Sequence, residues 1–177
     1  MSNLQINVTE NGTTTLATKD KLCRENIDVN VDVETFQETL DDLLDGSLKT
    51  IDNPRVTKLR VRAFYGSSIT SAKFDNVVSV SDAVFISCKS LVKVEFGSLK
   101  STSLSLFNNA DALRVLIIRT PTVCSLTSSA ISDSGIATND SSRIYVADEL
   151  VDQYKVATNW ATYADKIYPV SEWDAQQ

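Results

Sequence analysis

The chain has 177 residues, 42% hydrophobic and 23% charged, which is long enough for one or two domains with a real core. Its net charge of −6 argues against nucleic-acid binding over the surface as a whole, and 5 Gly and 3 Pro exclude collagen-like and low-complexity classes. There is no His, which removes the commonest general base, the Ser–His and Cys–His nucleophile pairs and most catalytic zinc sites.

Residues 4–9 alternate apolar and polar, with Leu4, Ile6 and Val8 on one face, and Asn11-Gly12 is a tight-turn signal before a second polar-rich strand. Residues 27–33 alternate again, with Ile27, Val29, Val31 and Val33 facing in. Residues 1–33 therefore read as a small β module that needs a neighbour to bury its apolar face. The period then changes. Phe36, Leu40, Leu43 and Leu44 form a helical stripe that Gly46 can stop, which predicts a connecting or capping helix within residues 34–49.

The middle of the chain repeats one pattern: an apolar residue, another three positions on, and another two after that. It occurs as Val56-Leu59-Val61, Ile69-Ala72-Phe74, Leu91-Val94-Phe96 and Leu113-Leu116-Ile118, with a weaker copy ending in Ile144-Val146. The second to fourth copies are 22 residues apart, the wording and period of a leucine-rich solenoid. Phe64, Phe85 and Phe107 recur at nearly the same period, so one Phe per repeat is predicted inside. Residues 120–142 carry 11 Ser or Thr among 23 and read as an enlarged loop. After it, Asp148 is placed to cap a helix through Leu150, Val151 and Tyr154. A second helical segment runs from Trp160 through Tyr163 and Ile167 until Pro169 ends it.

The predicted fold class is thus a β-rich α+β chain: a short leucine-rich-repeat solenoid with a helical C-terminal cap and a small N-terminal β module. The predicted units are residues 1–33, the β module; 34–49, the helix; 50–147, the repeats; and 148–177, the cap.

Three Cys at wide spacing, Cys23, Cys88 and Cys124, indicate neither a zinc site nor a disulfide framework. Cys88 and Cys124 sit among apolar neighbours and read as small hydrophobes. No phosphate-cradling G-x-x-x-x-G-K-[ST] or G-x-G-x-x-G occurs. Asp41, Asp42 and Asp45 read as a solvated helix face. Asp28, Asn30 and Asp32 lie about 6.6 Å apart along an extended strand and lack the Gly-containing turn of a calcium loop. The expectation is no catalytic residue, no metal and no cofactor. A glycan-cleaving enzyme would need only two carboxylates in a cleft, and it stays as a distant alternative.

In the repeat register, residues 58, 60, 62, 71, 73, 75, 93, 95, 97, 115, 117, 119, 143, 145 and 147 point outward. Seven of these are basic and two acidic, which gives +5 on one face of an acidic chain. The predicted binding face is Lys58, Arg60, Arg62, Lys73, Lys93, Val115, Ile117, Arg119, Arg143 and Tyr145. Such a face could dock an anionic polymer or an acidic subunit, although the same charges would also keep an open sheet soluble. Val115 and Ile117 add an apolar spot suited to protein contact. Trp160, Tyr163, Tyr168 and Trp173 read as the hydrophobic side of the cap, with a sugar-stacking platform as the alternative.

AFYGSSITSAKF and VFISCKSLVKVEF resemble the leucine-rich repeats of bacterial surface antigens, which recur in prophage proteins of Gram-positive bacteria. RIYVADELVDQYKVATNWATYADKIYPVSEW is similar to the closing cap of those phage proteins, and ENGTTTLATKDKLCRENIDVNVDV to the opening module of virion-associated proteins of the same phages. The Pro usual after the repeat strand is replaced here by Asp75 and Gly97. The resemblance implies a non-enzymatic phage virion component (capsid decoration, tail, baseplate or fibre). It would be a homo-oligomer attached to other virion proteins through the N-terminal module, with the repeats facing a partner or host cell-wall glycan. The start of the chain lacks a basic stretch and an apolar run, so no signal peptide is predicted; synthesis in the host cytoplasm and residence in the virion fit. No stretch approaches the length of a membrane span. The alternative is a bacterial cell-surface adhesion module.

Overall fold

The computed structural model describes residues 6–10, 13–17 and 49–177. The predicted strand at 27–33, the helix within 34–49 up to residue 48, Cys23, and the acidic sets at 28–32 and 41–45 lie outside the described residues. Two strands, β1 (Ile6–Glu10) and β2 (Thr13–Ala17), pair antiparallel, with Ile6 opposite Ala17 and Glu10 opposite Thr13.

From residue 49 the chain builds a parallel sheet. Its strands are β3 (Thr50–Asp52), β5 (Ser71–Phe74), β7 (Lys93–Phe96), β8 (Val115–Ile118), β9 (Arg143–Val146) and β10 (Ile167–Pro169), in the spatial order β10-β9-β8-β7-β5-β3. Between them β4 (Lys58–Leu59) pairs in parallel with β6 (Ser79–Val80), and single bridges continue that line from Ser79 to Ser101 to Ser125. The register is constant: Ile51, Ala72, Val94, Leu116, Ile144 and Ile167 form one row across the sheet, and Phe74, Phe96, Ile118 and Val146 the next. These side chains point into one buried core that also takes in Leu59, Leu91, Leu99, Leu106 and Leu113.

The core is organised around phenylalanine. Phe64, Phe85 and Phe107 stack with ring centres 5.2 and 5.3 Å apart, and Phe74 joins that column to Phe96. Each turn before β5, β7 and β8 passes through left-handed backbone twice. Arg62, Ala83 and Ser105 hold the first station and Gly66, Ser87 and Asn109 the second, each set spaced by 21 and 22 residues. The repetition is enforced by hydrogen bonds between successive turns: Arg62 N donates to Asp82 O, Ala83 N to Leu104 O, Gly66 N to Ile86 O and Ser87 N to Asn108 O.

Helical structure is short: α1 (Gly135–Thr138), a 3-10 turn at Asp148–Leu150, α2 (Val151–Val156), a second 3-10 stretch at Ala161–Lys166 and α3 (Val170–Asp174). Ser134 caps α1 by accepting from Ile136 N. The region around α2 closes the open edge at residues 124–126. Cys124 N donates to the Tyr154 hydroxyl, Trp160 Nε1 donates to Cys124 O at 2.6 Å, and Asn159 Nδ2 donates to Leu126 O. Three side chains thus do for this backbone what another strand would do. Lys166 Nζ sits on the carbonyls of Ile136, Ala137 and Asn139 and pins α1 to the same region.

The expected fold class is corrected. The structure is not a β-rich α+β leucine-rich-repeat solenoid with a helical cap; it is α/β-like, a mostly parallel six-stranded sheet with few short helices. Parallel neighbours need crossover connections; from β3 to β8 these run through turns and the β4–β6 ladder, and the short helices all follow β8. The sheet also recruits strands that carry none of the apolar triplets, β3 at one margin and β10 at the other, while the copy at 56–61 leaves it for the β4–β6 ladder. Two local expectations change as well. Asp148 does not cap its own helix; its carboxylate accepts from Ser171 N. Pro169 does not end a helix but lies in β10, an edge strand, where a missing N–H is tolerated.

Candidate binding surface

The parallel register carries the outward side chains into rows as strictly as the inward ones. Ser71, Lys93, Val115 and Arg143 stand side by side, and so do Asp52, Lys73, Glu95, Ile117, Tyr145 and Tyr168. The next position holds Asp75, Gly97 and Arg119. Gly97 is required there, because a Cβ would run into the backbone of Asp75.

Seven of the ten predicted face residues share this surface: Lys73, Lys93, Val115, Ile117, Arg119, Arg143 and Tyr145. Lys58, Arg60 and Arg62 do not. They are exposed along the β4 margin, off the six-stranded sheet, with the Arg62 guanidinium 5.8 Å from the centre of the Tyr65 ring. Exposed Val61 and Tyr65 lie beside them.

The surface on the sheet is not open. After β10 the chain turns at Pro169, and α3 lies across it. Arg119 gives its two terminal nitrogens to the Asp174 carboxylate at 2.9 and 2.7 Å, and its Nε to Glu95 Oε1 at 2.6 Å. Trp173 packs its ring 5.5 Å from that of Tyr145, with the Lys93 ammonium 5.4 Å from the Trp173 ring centre. Tyr168 lies against Tyr145 and under the Arg143 guanidinium. Ile117 is consequently fully buried, and Glu95 and Tyr145 are each 7% exposed.

The electrostatics follow from this geometry. The Arg119 guanidinium is held even more firmly protonated than usual, first by its hydrogen bond to Asp174 and then, against its own burial, by Glu95. The same contact keeps the Asp174 carboxyl below the usual carboxylate range. Asp148 is likewise lowered, by the Ser171 hydroxyl and then its backbone N–H. On the sheet itself Lys73, Lys93, Arg119 and Arg143 face Asp52, Asp75, Glu95 and Asp174. Four basic against four acidic leaves no excess, so the +5 counted along the repeats does not describe this surface. Two of the balancing carboxylates, Asp52 and Asp174, come from segments outside the repeat pattern.

The aromatic cluster divides. Trp160 is fully buried against Tyr154 in the closure of the 124–126 edge, whereas Tyr168 and Trp173 belong to the outward surface. Sequence reasoning missed Asp174, Glu95 and Trp173 as parts of one assembly. The adjacent Trp-Asp pair was the available signal, but nothing in its spacing shows which strand it meets.

Cys88 and Cys124 are buried free thiols; burial raises both, Cys124 to about 12. The Cys88 thiol donates to Phe64 O at 2.8 Å. Among the described residues no group of three His, Cys, Asp or Glu side chains is close enough to hold a metal ion, and no helix is long and apolar enough to cross a membrane. No family model matches the chain, and no curated protein matches it in sequence.

Proposed function

We propose that this protein is a non-enzymatic phage virion component that binds partner proteins through its outward surfaces. The observation that supports the reading best is the register of the outward rows. It gathers arginine, lysine, tyrosine and isoleucine side chains on one face of the sheet, where they already grip a polypeptide segment, the chain's own α3. The exposed β4 margin, with Lys58, Arg60, Val61 and Tyr65, adds a second, basic contact area. The resemblance of the repeats and of both ends to virion-associated proteins of Gram-positive phages supplies the setting. In this reading the N-terminal module joins the particle and the remainder meets a partner or the host wall.

The test is direct. Particles of the phage or prophage that encodes the chain, purified by density gradient, should contain it at a fixed copy number by quantitative mass spectrometry. Its absence from purified particles overturns the proposal.

A further inference from the structure

The surface under α3 is built to recognise something, and the chain's own tail shows what. Arg119 presents a planar fork that takes a carboxylate with two parallel hydrogen bonds, the most geometrically selective mode open to an arginine. Glu95, nearly buried, holds that fork in place from the other side through Nε. One residue away, the Trp173 ring meets both the Lys93 ammonium and the Tyr145 ring, whose neighbour in the row, Ile117, is fully buried. The seat therefore reads an aromatic side chain followed directly by a carboxylate.

Its present occupant is lightly held. Helix α3 has five residues, too few to be helical in isolation. Ser171, Glu172, Asp174 and Ala175 remain exposed, and the segment is tied down mainly by Trp173, the Asp174 pair and the Ser171–Asp148 hydrogen bond.

We infer that the outward face of the sheet is a docking site for an aromatic–acidic segment of a partner protein, and that residues 170–177 are its tethered, displaceable occupant. The inference rests on the reading of the chain as a binding component and names the chemistry of its partner. The tail matches the seat because it stands in for the partner. While docked it keeps the apolar floor from water and the arginine from non-specific anions. A partner segment of the same chemistry, presented at high local concentration in an assembly, takes its place.

The probe is a fluorescein-labelled peptide of residues 169–177, PVSEWDAQQ, read by anisotropy against the chain of residues 1–177. The Trp173→Ala/Asp174→Ala double variant, whose own tail no longer fills the seat, should bind the peptide at least about tenfold more tightly than the wild-type chain. Changing Trp to Ala or Asp to Asn in the peptide alone should remove that binding, a test that leaves the protein untouched. Adding Arg119→Gln should abolish it too, with Arg119→Lys restoring only part. Equal binding by wild type and double variant, or binding indifferent to both peptide changes, overturns the proposal. If the wild-type chain self-associates in sedimentation and the double variant does not, the occupant is the tail of a second copy, and the assignment to a separate partner falls. The assay reads the seat alone, so its outcome is independent of whether the chain is found in a particle.

Discussion

Phe85 shows how much of the fold rests on single side chains. It is fully buried, stacked on Phe64 and Phe107 and tilted against Phe74, so truncation leaves a void in the middle of a column. Phe85→Ala should cost about 3–5 kcal/mol in urea denaturation, and Phe85→Leu distinctly less. Gly97 acts through space instead of burial: Gly97→Ala forces β5 and β7 apart at Asp75 and should lower the melting temperature although it adds only a methyl group. The thiols behave as buried hydrophobes. In a Cys23→Ser background, Cys88 and Cys124 should resist a thiol reagent until the protein is unfolded, because burial holds both protonated. The periodicity pointed to the Phe column, since one large apolar residue per repeat has few places to go but inward. The left-handed stations were invisible to it, because Ala83, Ser87 and Ser105 carry none of the glycine or asparagine that advertises such backbone.

At the level of elements, the two ends of the C-terminal region do different work. Tyr154, Asn159 and Trp160 satisfy the backbone at 124–126, so Trp160→Phe keeps the shape but strands the Cys124 carbonyl, a loss of about 1–3 kcal/mol that calorimetry should register. Helix α3 is held electrostatically, and its pH response follows from the sign of the Asp174 shift. A carboxyl lowered in the folded state stabilises the docked helix fully above its ordinary pKa of about 3.9, and that contribution is lost as pH falls through the lowered value. Acrylamide quenching should therefore show added tryptophan accessibility only in strong acid, whereas Asp174→Asn should show it at neutral pH. Strands β5, β7 and β8 were legible because each ends the repeated apolar triplet, and β9 because Ile144 and Val146 keep its last two positions. Strands β3 and β10 were not: three residues give no period, and Ile167–Pro169 read as the end of a helix. The copy at 56–61 fits the pattern yet pairs elsewhere, since β3 already occupies the place beside β5.

For the molecule as a whole, the core among the described residues runs from Leu59 to Ile167. Deleting residues 1–33 should leave a cooperative melting transition while abolishing incorporation into particles; retained incorporation would place the attachment elsewhere. Reversing Lys58 and Arg60 on the exposed β4 margin to Glu should spare the fold and weaken adhesion to an anionic polymer, most at low salt. Much of the predicted face was legible as a set of residues, because strand alternation tells which side chains share a side. Its covering was not, because Trp173 and Asp174 reach it from a segment 55 residues beyond Arg119 in sequence.

The sheet has two margins, and they are not alike. Both margin strands are three residues long, but β3 consists of ordinary residues whereas β10 ends in Pro169, which has no N–H to share. A filament grown by joining sheets head to tail would need both margins in every copy. Among the described residues this molecule can supply one. Sheet joining can only bring like margin to like margin about a two-fold axis, and growth stops at the pair. The chain is polar in the sense that matters for building: a terminator at one end, a single connectable edge at the other. Light scattering at rising concentration should accordingly level off at a finite mass.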